Sequence, residues 1–189
     1  PERIVFDKVE GYPTLLFSPD EPRFGSAAVV VDNMAYVYGC SLDKSSMTKP
    51  CHLARVPIDS LLDKDAWTYY RSNGTWSRQI DDLLPVFNGN NMMSVFYNAY
   101  LNSYVAIYTE PLENHIMLRV ASKPEGPWSS PRKIWTSEEP RPSGWIYDAL
   151  AHPEFSDLDH RLIYITHSLQ LGEFESEMRL LMLKLRLDP

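Results

Sequence analysis

The sequence predicts an all-β chain made of about three successive four-stranded sheets, the blades of a β-propeller, and three observations carry that reading. An apolar-apolar-basic-apolar phrase occurs three times, as Leu53-Ala54-Arg55-Val56, Met117-Leu118-Arg119-Val120 and Met182-Leu183-Lys184-Leu185, with its basic residues 64 and 65 positions apart. An aromatic or β-branched phrase precedes each one: Met34–Tyr38, Tyr104–Tyr108 and Leu162–Thr166. A Gly-X-Trp-Ser corner appears twice, at Gly74–Ser77 and Gly126–Ser129. A four-stranded sheet cannot bury both faces alone, so a unit repeated in constant order is what stacking demands. The period exceeds the ~40–50 residues of the commonest propeller repeats, which implies long connections. An antiparallel sandwich is the alternative that the same strands and turns allow.

Taken in order, residues 1–24 hold two short apolar runs, Ile4–Phe6 and Leu15–Phe17, read as the outer edge of a preceding blade and the crossing that leads inward. The first blade, about 24–80, opens on a strand ending at Val31 and turns at Asp32-Asn33, a good hairpin signal. Gly25, Ser26, Ala27 and Ala28 suit an innermost strand, where blades converge and bulk is excluded. Residues 52–58 form its third strand, Ser60–Asp65 a helical turn or loop, and Trp67–Tyr70 with Trp76–Gln79 the outer edge. Asp81–Asn91 is a polar linker carrying Pro85 and Asn88-Gly89-Asn90-Asn91.

The second blade, about 91–136, places two apolar runs around Asn102-Ser103, a third after Glu110–His115, and a fourth after the Gly126-Pro127 corner. Thr136–Gly144 is too rich in proline and charge for a strand and crosses to the third blade, about 145–187. That blade starts at Trp145–Pro153, turns at Asp157–His160 and runs outward through Leu162–Ser168 and Leu180–Leu187. Glu173–Leu187 admits a helix, but alternation of Met182, Lys184 and Arg186 against Leu181, Leu183, Leu185 and Leu187 favours a strand. Three blades do not close a circle, for which at least about four are needed. The ring is therefore read as incomplete, with an N-terminal portion missing.

Bulk properties agree with one folded unit: 189 residues, 44% hydrophobic and 12% aromatic, with 15 prolines against 8 glycines. The net charge of −7 and the lack of basic runs argue against nucleic acid or an anionic membrane as partner, and favour a neutral or cationic ligand. No apolar run approaches the ~20 residues needed to cross a bilayer as a helix. Cys40 and Cys51 end one expected strand and begin the next, and are either a disulfide or two buried thiols. Asn73-Gly74-Thr75 is a glycosylation acceptor sequence in a turn.

Arg23–Ala28, Val37-Tyr38-Gly39, Ser94–Asn98, Leu118–Ala121, Gly126–Ser129 and Ala151-His152-Pro153 together resemble the later blades of a secreted five-bladed propeller family of unknown function. Some members of that family look like endo-D-arabinan hydrolases. The resemblance implies a carbohydrate ligand at the propeller axis and a secreted protein. It supplies no catalytic pair, because in related propellers the acids come largely from the first blades.

Hydrolysis of a glycosidic bond needs two carboxyl groups, ~5–5.5 Å apart for retention and ~6.5–9.5 Å for inversion. In a propeller they project from innermost strands or the loops that feed them. Asp148, between Tyr147 and Ala149 at the opening of a blade, is the first candidate, and Glu21 the second, although Glu21 lies two residues from Arg23 and also fits a solvated ion pair. Asp20 also meets the positional rule, and Glu154 lies further along its strand. Trp145 and Tyr147 offer ring faces for sugar stacking, and Arg23, Asn91 and Ser94 offer donors to hydroxyls. His152, four residues beyond Asp148, is placed to orient a hydroxyl or poise an acid. No metal motif, phosphate-binding glycine loop or Cys/His ligand set is present, so no cofactor is expected. The reading is a glycoside hydrolase, or a fragment of one, acting on a polysaccharide. The alternative is a non-catalytic propeller that binds glycan or protein.

Overall fold

The computed structural model describes residues 16–18, 21–138, 144–171 and 177–188. The first apolar run, Ile4–Phe6, most of the Thr136–Gly144 crossing, and Asp20 lie outside them. The described residues form three antiparallel sheets and no α-helix.

The first sheet orders β1 (Phe24–Val31), β2 (Met34–Cys40), β3 (Pro50–Pro57), β4 (Thr68–Tyr70) and β5 (Trp76–Ser77) from inside to outside. Asp32 and Asn33 both take positive φ, 47° and 62°, which gives the β1–β2 turn the twist of its strands. The expected helical turn after β3 is two short 3₁₀ segments, Ile58–Ser60 and Lys64–Ala66. One departure lies in the segment read as a linker. There β6 (Phe87–Asn88) returns to pair with Pro50 and Cys51, so the first sheet has six strands rather than four. Burial drives this, since Phe87 enters the seam between sheets while the polar residues around it stay outside.

The second sheet runs β7 (Met93–Asn98), β8 (Ser103–Thr109), β9 (His115–Ala121) and β10 (Arg132–Thr136). The third runs β11 (Gly144–His152), β12 (Leu162–Leu171) and β13 (Glu177–Arg186). The alternating run at the C-terminal end is thus a strand, with Leu183, Leu185 and Leu187 turned to the core. Arg55, Arg119 and Lys184, the basic centres of the repeated phrase, each fall on the third strand of their sheet, β3, β9 and β13. Each also places its charge near an aromatic ring: Arg55 4.1 Å from Trp76, Arg119 5.7 Å from Phe87, Lys184 5.9 Å from Tyr164. The phrase repeats because one position on a third strand must cover ring surface while its charged tip stays accessible.

The inner strands meet. β1 contacts β7, and β7 contacts β11, as strands converging on a common axis do. Two seams join the sheets. Tyr38, Leu53, Phe87, Met93, Tyr108 and Met117 fill the one between the first and second sheets. Val105, Ile107, Ile116, Ile146, Ile163 and Ile165 are in the one between the second and third. The opposite face of the first sheet buries Val37, Val56, Trp67 and Tyr69 beneath Phe17 and Phe24. Among the described residues the sheets do not close into a ring.

Candidate functional site

Two of the inner strands, β1 and β11, are irregular. β1 carries a register shift between Phe24 and Ala27, where Gly25 takes φ +126° and Ser26 Oγ accepts the Cys40 N–H at 3.0 Å. β11 carries one between Tyr147 and Leu150, where Asp148 takes φ +54°. An aspartate tolerates the left-handed region better than most residues, because its short polar side chain bonds locally. The extra residue turns both Tyr147 and Asp148 outward while Ile146 and Ala149 stay buried. Bulges of this kind re-aim side chains and are common beside functional sites.

Ser94 Oγ accepts the Ala151 N–H at 2.8 Å, tying β7 to β11. Asn91 lies just before β7 begins at Met93, and Asp148 lies in the irregular stretch of β11 that precedes Ala151. Ser94 is thereby engaged in joining two strands. It lines, with Ala27, Ala28, Met93, Phe96 and Ala151, a recess of about 220 Å³ at the convergence. Its walls are small or apolar, in keeping with a packed axis.

The polar groups at the Asp148 end come from loops. Lys49 Nζ donates to Asn90 Oδ1 at 2.5 Å, and Asn90 Nδ2 donates to the Thr109 carbonyl at 2.9 Å and to its hydroxyl at 3.0 Å. Asn90 Oδ1 also accepts the Asn91 N–H at 2.8 Å, which fixes the entry to β7. Burial pushes the Lys49 pKa below that of an ordinary lysine, and the charge of Asp148 opposes that shift. Lys49 and Asp148 are therefore electrostatic neighbours. Lys49 is held at the start of β3 by the Cys40–Cys51 disulfide, which closes the loop on which it rides, and by the Gly89 N–H donated to its carbonyl at 3.0 Å. The two cysteines are oxidised because β2 and β3 set Cys40 directly opposite Cys51.

Glu21 has other engagements. Both of its carboxylate oxygens accept from Lys64 Nζ at 2.6 Å, and Oε2 also accepts the Ser18 N–H at 2.7 Å. Burial raises its pKa, but these bonds more than offset that, and the carboxyl is held below its ordinary value. It lines a recess with Lys64, Tyr69, Arg78 and Ile80, on the face of the first sheet turned away from the second. Among the described residues Glu21 and Asp148 share no hydrogen-bond or ion-pair partner. Arg23 is exposed, its backbone crossing Gly39 so closely that a Cβ there would lie 2.9 Å from the Arg23 carbonyl.

Trp145 and Tyr147 stack at 6.5 Å with planes 12° apart, giving two parallel rings beside Asp148. His152 engages both ring nitrogens locally, Nδ1 with Glu154 Oε1 at 3.0 Å and Nε2 with Thr166 Oγ1 at 2.8 Å. Among the described residues, no cluster of three His, Cys, Asp or Glu side chains is placed to hold a metal. Lys49, Asn90 and Thr109 are not evident as site residues from the sequence. The Asn88–Asn91 cluster is visible there, but only pairing with β3 shows that Asn90 reaches Lys49.

Comparison with known proteins defines the class first. The chain is all-β, and its fold is similar to part of the propeller-type folds of glycoside hydrolases. A Bacteroides ovatus protein described as a hydrolase matches at 17% identity and TM-score 0.58, over 77% of this chain and 38% of that one. The catalytic domain of the Coprinopsis cinerea GH62 α-L-arabinofuranosidase matches at 13% identity and TM-score 0.50, over 88% of this chain and 52% of that one. The chain therefore spans about two fifths to half the length of these structures. No curated protein matches its sequence. The chain belongs to the DUF4185 family, a domain of unknown function, whose model matches residues 7–170.

Proposed function

We propose that this chain contributes the glycan-contacting face of a secreted, carbohydrate-active propeller of glycoside-hydrolase type, with Asp148 as its acid. The observation that carries the reading is the bulge on β11. It turns Asp148 outward in left-handed backbone, next in sequence to Tyr147, which stacks with Trp145, and its charge acts on Lys49. A carboxylate, amide and ammonium donors, and a ring platform are the groups that orient a sugar and act on its acetal. The Cys40–Cys51 disulfide supports an oxidising, extracytoplasmic location. Arabinose-bearing polysaccharides head the substrate panel, given the likeness to an arabinofuranosidase domain and to the propeller family with arabinan-hydrolase-like members.

The commitment of Glu21 to Lys64 favours a second reading, in which this face binds glycan without cleaving it. Within the described residues the second carboxylate suggested by the sequence is not brought to Asp148. One experiment separates the readings. Reducing-sugar release from arabinan, arabinoxylan and galactan is measured with the protein as its source makes it and with Asp148→Asn. A fall of at least about a hundredfold, with retained binding, is expected of a general acid or base. Unchanged release with weakened binding assigns Asp148 to recognition alone, and no effect on either removes it from the site.

A further inference from the structure

We propose that the recess at the mouth of the seam between the first and second sheets is a subsite for the negatively charged group of a sugar, a carboxylate or a phosphate ester. This rests on the carbohydrate reading above and extends it to the chemical class of the ligand. The recess holds about 240 Å³ and is lined by Lys49, Asn88, Tyr108, Glu110 and Arg119, with Met47 and two prolines as apolar wall.

The chain has 25 acidic residues against 18 lysines and arginines, so a carboxylate partner is easy to supply. Lys64, Arg71, Arg161 and Arg186 each have one within 4.0 Å. Among the described residues Lys49 and Arg119 have none at that distance, although both are only partly exposed and both face this recess. Their protein partners are neutral: Asn90 for Lys49, and the Tyr108 hydroxyl at 2.9 Å with the Ser129 carbonyl at 2.7 Å for Arg119. Two cations against the single carboxylate of Glu110 leave the lining of this recess net positive, which suits an anion.

Both cations are also held in place. The Arg119 guanidinium is fixed by Tyr108, Ser129 and the Phe87 ring, and Lys49 by Asn90 on a loop closed by the disulfide. Donors fixed beforehand lose little entropy when they bind, and a planar guanidinium beside a point charge suits carboxylate or phosphate oxygens. Asn88 and Glu110 are left for the hydroxyls of the same sugar, the carboxylate accepting and the amide doing either. The charge of Asp148 acts on Lys49, so the recess lies within electrostatic range of the β11 bulge. The overall charge of −7 points toward a neutral or cationic ligand, and these two local cations reverse that expectation for one subsite.

The test is titration calorimetry at low salt with glucuronate, glucose 6-phosphate and glucose. At least one anionic sugar is expected to bind about tenfold or more tightly than glucose, and to weaken as salt is added. Lys49→Met and Arg119→Gln should each abolish that preference. Circular dichroism checks the fold, and Lys49→Met decides the matter where Arg119→Gln disturbs packing. Asp148→Asn should leave the preference intact or increase it, since it removes a negative charge near Lys49. Preference for glucuronate assigns a uronic acid, and preference for the phosphate a phosphorylated sugar. Equal binding of all three, no binding of either anion, or a preference that survives Lys49→Met overturns the proposal. If the preference holds while polysaccharide hydrolysis and binding ignore Asp148→Asn, the subsite stands and the proposed role of Asp148 falls.

Discussion

The two seams between sheets do the same architectural job with different chemistry. Between the first and second sheets, Phe87 lies 6.0, 6.3 and 4.9 Å from the rings of Tyr38, Tyr108 and Trp128, next to the Cys40–Cys51 disulfide. Between the second and third, Val105, Ile107 and Ile116 meet Ile146, Ile163 and Ile165, all fully or almost fully buried. Stacking of sheets fixes where apolar surface must lie but not its kind. The difference matters at the mouths of the seams. Aromatic residues bring polar tips, so the Tyr38 hydroxyl donates to the Pro124 carbonyl and the Tyr108 hydroxyl accepts from Arg119. Aliphatic residues bring none, and the cation-lined recess opens on the aromatic seam.

The comparison can be broken hardest at its central rings and branched chains. Phe87→Ala removes a ring that touches three others and is expected to cost about 4 kcal/mol, against about 3 kcal/mol for Ile165→Ala in the aliphatic seam. Urea unfolding measures both. A cost below about 1 kcal/mol for Phe87→Ala would mean that the aromatic seam contributes little to holding the sheets together. Next in size is the disulfide, whose partners are 11 residues apart in sequence. Replacing Cys40 and Cys51 together by alanine is expected to cost about 3 kcal/mol, chiefly by freeing the unfolded chain. It should also loosen the loop that carries Lys49, so glucuronate binding should fall further than the stability loss alone explains.

How much of this is legible in the sequence divides along physical lines. Strands announce themselves by alternation, so residue types alone separate Leu180–Leu187 from a helix, and the repeated basic phrase marks the third strands. Burial on one side of a strand leaves a period, whereas a loop residue's partner leaves none. Lys49, Asn90 and Thr109 form a bonded group across three separate segments, which single-sequence reading has no means to assemble. Glu21 qualifies as a candidate acid only by its position ahead of an inner strand. Its partner Lys64 comes from beyond β3, and the sequence-local candidate Arg23 is not the one that pairs with it. β6 is invisible for the opposite reason, because two residues are too short a run to show alternation.

The smallest expected effect sharpens the comparison most, because it touches one seam only. His167 is fully buried on β12 in the aliphatic seam, 4.7 Å from the Trp135 ring, and among the described residues neither ring nitrogen has a hydrogen-bond partner. Burial pushes its pKa below 6.5, against a smaller opposing effect of the Ser168 backbone, which lies too poorly aligned to make a hydrogen bond. The folded protein therefore resists a proton that the unfolded chain accepts, and stability falls as pH drops through about 6.5. Above that value both states are neutral and the residue contributes no pH dependence. His52, lowered by burial on β3, acts in the same direction. The carboxyls held low, Glu21, Asp43 and Glu154, lose their stabilising effect only on further acidification, below about 4.5. Between about pH 7.5 and 5.5, then, unfolding free energy should decline by a slope of no more than two protons. His167→Leu should remove up to one of them and leave stability at pH 7.5 equal or higher, since an unpartnered imidazole is replaced by hydrocarbon. A slope unchanged by His167→Leu would show that this histidine is accessible to protons in the folded state. The aliphatic seam would then have no acid-labile point to set it apart from the aromatic one.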